Sequence, residues 1–195
     1  MNQEMLKEVV RAGVEVRLNE LVQLSQLIHS HPELGFQEHQ AVEWLTSYLR
    51  EQGFSVKTKI ADLPTAFRAD YGTGRPVIAF LAEYDALPKI GHACGHNIIA
   101  TSAVGAAVAL RPVVDEWGGQ VVVMGTPAEE LYGGKAIMAE KGAFAGLDAA
   151  MMFTPVFATR RRPMPWPVSA WTSSSSARRP TPRLLPRRGS MPSRP

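Results

Sequence analysis

The run QVVVMG, residues 120–125, constrains the fold more than any other stretch of this chain. A strand with one wet face alternates apolar and polar residues, and this one does not. Its sheet must therefore be covered on both faces, as in an α/β domain. Segments of helical period surround it. Leu18, Leu21, Val22 and Ile28 recur at three- and four-residue steps in the first thirty residues. Pro32 and Gly35 in SHPELGF break that pattern. A second helix is expected over about 37–52, with Val42, Leu45 and Leu49 as its buried stripe and Gly53 as its stop. FSVKTKI reads as an alternating strand, and TAFRADY and PVIAFLA flank the turn GTGR as a hairpin. The small residues of 98–110 predict a closely packed helix stopped by Pro112. Residues 135–141 read as helical and LDAAMMF as a further buried strand. Helices alternating with buried strands predict a three-layer α/β domain. No internal repeat is visible.

The pattern ends at Thr154. Residues 154–195 contain nine Arg, nine Pro and seven Ser, with no Asp, Glu or Lys. Of the chain's net charge of +3, this tail supplies +9 and the first 153 residues carry −6. The basic character thus belongs to the tail, and nucleic acid is not expected as a partner of the acidic globular part. The tail's composition is that of a disordered segment. The division expected is 1–153 as a catalytic-type domain and 154–195 as an Arg/Pro/Ser-rich tail. One cysteine excludes an internal disulfide scaffold. No run of about 18 consecutive apolar residues is present, and the acidic start MNQEMLKEVV lacks the order of a signal peptide. A cytoplasmic protein with no membrane partner is the expectation.

Three polar clusters follow apolar strands, where α/β enzymes place their chemistry. Glu83 and Asp85 in AEYDALP follow VIAFLA. GHACGHN, residues 91–97, opens the small-residue helix. Glu129 and Glu130 in TPAEELYGG follow QVVVMG. Cys94 and His96 offer a thiolate and an imidazole to a zinc-like ion, and nearby carboxylates could complete the shell. Of two adjacent glutamates, one can bind metal while the other takes a proton from water. The plain alternatives are a small buried cysteine, a solvated glutamate pair, and a thiol nucleophile activated by His92 or His96. The last is disfavoured, because neighbouring carboxylates raise a thiol's pKa. His31 and Glu33 read as residues that order their loop.

HSHPELGFQE, AEYDALP, HACGHN, GTPAEE and KGAFAGLDAAMMF occur in this order over residues 1–153. Together they resemble the metal-dependent amidohydrolases that include aminoacylases, aminobenzoyl-glutamate hydrolases and indole-acetyl-amino-acid hydrolases. AEYDALPKIGHACGHN is most similar to the branch acting on dipeptides and related amides. The resemblance implies a zinc-exopeptidase-like catalytic domain with an inserted dimerisation or lid domain. It also implies two divalent metal ions per intact site (Zn, Mn, Co or Ni all suit such ligands), a small amide or dipeptide substrate, and a homodimer. Matched residue by residue, Cys94, His96 and Glu130 correspond to metal ligands, Glu129 to the general base, and Asp85 to the acidic residue supporting the site. Glu83 has no settled role, and His92 is a motif neighbour rather than a usual ligand.

The chain departs from this pattern at one position. The resemblance places a further histidine ligand where this chain has Thr154, in MMFTP rather than MMFHP. Restoring one C before the Thr154 codon turns FTP into FHP. The same shift forces aspartate from the Trp171–Thr172 codons and alanine from Met191–Pro192. Residues 169–195 can then be read as a segment containing GKAAHAAAAPEEGINAL, which resembles the family's inserted domain. The tail is thus read as a frameshift product following a truncated catalytic domain. The other reading is a genuine basic tail that binds nucleic acid or acidic surfaces. The expected function is metal-dependent hydrolysis of an amide bond in N-acyl amino acids or dipeptides, impaired in this chain. The alternatives are an inactive remnant and a non-catalytic metal-binding chain.

Overall fold

The structure, a computed structural model, describes residues 3–155. The Arg/Pro/Ser-rich segment, apart from Thr154 and Pro155, lies outside the described residues. In chain order the elements are α1 (Gln3–Ser30), α2 (His39–Glu51), β1 (Ser55–Thr58), a short 3₁₀ turn (Ile60–Asp62), β2 (Phe67–Thr73) and β3 (Val77–Ala82). There follow α3 (His96–Ala109), α4 (Arg111–Trp117), β4 (Gly119–Gly125), α5 (Glu129–Tyr132), α6 (Gly134–Glu140) and β5 (Ala149–Met151). The sheet order is β1-β2-β4-β3-β5. β3 runs parallel to both β4 and β5, and β2 runs antiparallel to β1 and β4.

Two apolar clusters, one on each face of the sheet, give the three layers that the uniform apolarity of 121–124 demanded. On one face Leu24 and Ile28 of α1, Leu45 and Leu49 of α2, and Val104 and Val108 of α3 pack on Phe67, Ala69, Val121 and Val123. On the other, Val77, Ala79, Val122 and Met124 meet Met138 of α6 and Leu63. α3 is apolar on all sides, as a buried helix should be. Its small residues allow α1 to approach closely: a Cβ on Gly105 would lie 2.7 Å from Leu21 Cδ1. The helical stretch His96–Trp117 is long and apolar enough to cross a membrane by length and composition, but more than half of it is buried in this core.

Three expectations need correction. TAFRADY and PVIAFLA do not pair as a hairpin, because β4 lies between them: Thr73 is opposite Gly119, and Val77 is opposite Gln120. Two strand spacings are only about 9.5 Å, a gap that residues 74–76 can bridge. The wholly apolar β4 thereby takes a central place, shielded by a neighbour on each side. Pro112 does not stop a helix. α3 ends at Ala109, and Pro112 sits in the first turn of α4, where its missing N–H costs no hydrogen bond. The LDAAMMF strand is not buried. β5 is an edge strand bonded to β3 alone, and Met151, Met152 and Phe153 are 49%, 42% and 55% exposed.

Candidate metal centre

β3 and β4 end side by side, Ala82 opposite Gly125. The Thr126 amide and hydroxyl both donate to the Ala82 carbonyl, at 2.8 and 3.1 Å. This parallel pairing brings the segment Glu83–Asp85 beside the segment carrying Glu129 and Glu130, at the carboxyl end of the sheet. The GHACGHN loop delivers His96 to the same place as the first residue of α3. Gly95, just before it, has φ +77°, a left-handed turn suited to glycine.

His96 is the centre of the arrangement and is 4% exposed. Its Nδ1 lies 2.9 Å from Asp85 Oδ1 and 2.9 Å from the Asp85 carbonyl oxygen. Nδ1 therefore carries the proton that these acceptors require, which leaves Nε2 as the free ligand atom. Nε2 stands 3.5 Å from Glu130 Oε1 and 3.5 Å from Glu83 Oε2. Ligand atoms of His96, Glu129 and Glu130 all lie within 4.8 Å of one another. For zinc, bonds to N and O of about 2.0–2.2 Å place neighbouring tetrahedral ligand atoms roughly 3.4 Å apart. The separation of His96 Nε2 from Glu130 Oε1 fits that edge. The donor set, one imidazole and two carboxylates with a thiol beside them, suits a divalent ion of the zinc to manganese range.

Asp85 is buried, which alone would raise its pKa. The His96 ring and the backbone amides of Glu130 and Glu129 outweigh this and hold the carboxyl below its ordinary value. The Glu130 amide donates to Asp85 Oδ2 at 3.0 Å, so one carboxylate orients both the histidine and the glutamate loop. Burial likewise opposes protonation of His96, but hydrogen bonding to Asp85 and the charges of Asp85 and Glu83 raise its pKa.

Cys94 is exposed and lies outside the mutually close set of His96, Glu129 and Glu130. Its thiol hydrogen-bonds to Glu130. That bond, with partial desolvation and the charges of Glu130, Glu129 and Asp85, pushes its pKa up to about 11. Without a cation to neutralise these carboxylates the sulfur stays a thiol, so it is not an activated nucleophile. His92 is buried, with neither ring nitrogen hydrogen-bonded among the described residues, and its ring lies 6.2 Å from that of His29. Thr154 follows β5 beside this loop: a Cβ on Gly95 would come 2.9 Å from Pro155 Cγ.

Two further residues belong to the site. Glu83, 3% exposed, is ion-paired with Lys135 of α6. Lys135 carried no mark in the sequence beyond its place after a Gly-Gly pair. Glu33 orders its loop, as expected, by accepting the Gln40 and Ala41 amides at 3.0 Å each, which caps α2. His31 lies against Trp44, ring centroids 5.3 Å apart.

No family model matches the chain. It is similar to the Xaa-Arg dipeptidase of Mus musculus, 40% identical over 166 residues that cover 78% of this chain and 38% of the dipeptidase. It is similar to a p-aminobenzoyl-glutamate hydrolase of Escherichia coli strain K12, 35% identical over 162 residues, 73% of this chain and 34% of that protein. Among solved structures it resembles a dinuclear metal-binding peptidase of the M20 family from Bacillus subtilis, with a TM-score of 0.61 and 29% identity over 72% of this chain and 42% of that one. The chain thus spans less than two fifths of the length of these two curated relatives.

Proposed function

This chain belongs to the family of metal-dependent amidohydrolases and peptidases, whose N-terminal part it matches, and from that premise we propose that it carries half of a hydrolytic metal site. The activity proposed is hydrolysis of an amide bond in dipeptides or N-acyl amino acids. The observation that supports it is His96 Nε2, left free by the Asp85 hydrogen bond and 3.5 Å from Glu130 Oε1. His96, Glu130 and Cys94 would hold divalent ions, of Zn, Mn, Co or Ni. A bound ion supplies Lewis acidity toward the amide carbonyl and toward water.

The protein's own residues do the rest. Glu129 takes the proton of the attacking water and returns it to the departing amine. Asp85 keeps the proton of His96 on Nδ1 and fixes the Glu130 backbone. The Glu83–Lys135 pair closes the buried side of the site. Thr154 stands where the family resemblance places a histidine, and this weakens metal binding. Residues 154–195 are proposed to be the out-of-frame product of the inserted domain. In the intact protein that domain would join two copies.

The relatives set the test panel: dipeptides ending in arginine, p-aminobenzoyl-glutamate and N-acetyl amino acids. The purified chain is assayed with each metal in turn. Turnover that depends on metal and disappears in Glu129→Gln supports the reading. Turnover that survives both chelation and Glu129→Gln would sink it. Metal binding without turnover favours the non-catalytic alternative.

A further inference from the structure

SHPELGFQE contains one residue that the proposed chemistry leaves unused. Glu38 lies at the entry to α2 with 0% exposure. A buried carboxylate is costly unless it is fully hydrogen-bonded, so its partners show what retains it. Oε2 accepts the Thr65 hydroxyl at 2.7 Å, and Oε1 accepts the Ala128 amide at 2.8 Å. Ala128 is the residue immediately before Glu129.

Ala128 needs such an anchor. It sits at φ 56°, ψ 46°, a left-handed conformation that costs a non-glycine residue about 1–2 kcal/mol. This turn swings the chain from β4 into the Glu129–Glu130 segment. The surroundings are built for close approach. A Cβ on Gly35 would lie 2.8 Å from Ala128 Cβ, and Phe36 stacks on Tyr132 with ring centroids 5.1 Å apart. The network reaches the other strand end as well. The hydroxyl of Tyr84, fully buried between Glu83 and Asp85, donates to the Thr65 carbonyl at 2.6 Å. Thr65 and Glu38 therefore tie together the two segments that carry Asp85 and the glutamate pair, on the side away from the candidate metal.

We infer that Glu38 is a positioning residue. By accepting the Ala128 amide it holds the left-handed turn that aims Glu129 and Glu130 at His96, with Thr65 fixing its carboxylate. The inference rests on the reading of Glu129 and Glu130 as metal-site carboxylates, and it is tested with and without metal. The variants are Glu38→Ala, Glu38→Gln and Thr65→Val in the full chain. Glutamine can still accept the Ala128 amide through its carbonyl oxygen and donate to the Thr65 hydroxyl.

The metal-free measurement is amide hydrogen exchange, residue by residue. In Glu38→Ala the Ala128 and Glu130 amides exchange about tenfold faster or more, while Val104 and Val108 in α3 are unchanged. Glu38→Gln restores slow exchange. The second measurement is zinc affinity, which falls about 10–100-fold in Glu38→Ala and recovers in Glu38→Gln. A folded Glu38→Ala whose Glu130 exchange and zinc affinity match the wild type overturns the inference. If Glu38→Ala does not fold, Thr65→Val decides, with several-fold faster exchange at Ala128 and Glu130 expected and no change refuting. If the wild-type chain binds no zinc, the metal-site reading fails, and the exchange data still decide the role of Glu38.

Discussion

Asp85 holds His96 from behind: Oδ1 lies 2.9 Å from Nδ1, while Oδ2 accepts the Glu130 amide. One buried carboxylate therefore sets the tautomer of the imidazole and the position of the glutamate segment. Asp85→Ala should lower zinc affinity by about 10–100-fold without abolishing the fold. Calorimetric titration of the purified variant measures this, and affinity within twofold of wild type would remove Asp85 from the site.

The two glutamates should separate by readout. Glu129→Gln removes a base and should reduce turnover about 10²–10⁴-fold while leaving zinc affinity nearly intact. Glu130→Gln should reduce both. Parallel titrations and amidase assays distinguish them. Equal loss of metal in the two variants would show that Glu129 is a ligand as well, as its place in the close set allows.

Thr154 lies at the end of β5, and Pro155 packs against Gly95. Thr154→His should therefore add a donor beside the candidate ligands. The expected gain in zinc affinity is about tenfold or more, equivalent to ~1.4 kcal/mol. A Cys94→Ala background supplies the comparison. If Thr154→His leaves affinity unchanged in both backgrounds, residue 154 is not part of the site.

His92 gives a pH dependence. Burial, helped by the nearby His29 and His96 rings, lowers its pKa from 6.5 to about 4. Between those two values the unfolded chain binds a proton at this residue and the folded chain does not, so acid favours unfolding. The melting temperature of the metal-free chain should thus fall as pH drops from 6.5 toward 4. His96, with its raised pKa, acts in the opposite sense. The difference between wild type and His92→Phe isolates the His92 contribution: the variant should lose this part of the fall. A wild-type-minus-variant difference that stays constant across this range would exclude the assignment.

The gene supplies the last test. Reading one base over from codon 154 should encode histidine at that position and a GKAAH segment downstream. Their absence from the nucleotide sequence leaves the Arg/Pro/Ser-rich segment as a genuine tail.

Much of this was legible in the sequence because it is local. Helical period named α1 and α2 to within a few residues, and the unbroken apolarity of 121–124 required a sheet covered on both faces. Polar clusters after VIAFLA and QVVVMG marked the strand ends where His96, Glu129 and Glu130 meet. Periodicity reports which faces a segment buries, and motif spacing reports which donors lie near one another along the chain. Neither says which strands pair. Only the tertiary structure placed β4 between β2 and β3, left β5 as an exposed edge, and turned the Cys94 thiol toward Glu130. Only it joined Glu38 to Ala128 across 90 residues of sequence and gave Glu83 its partner in Lys135. A buried carboxylate is stable only where donors converge on it. That convergence comes from packing distant segments together, a closure that local sequence pattern does not record.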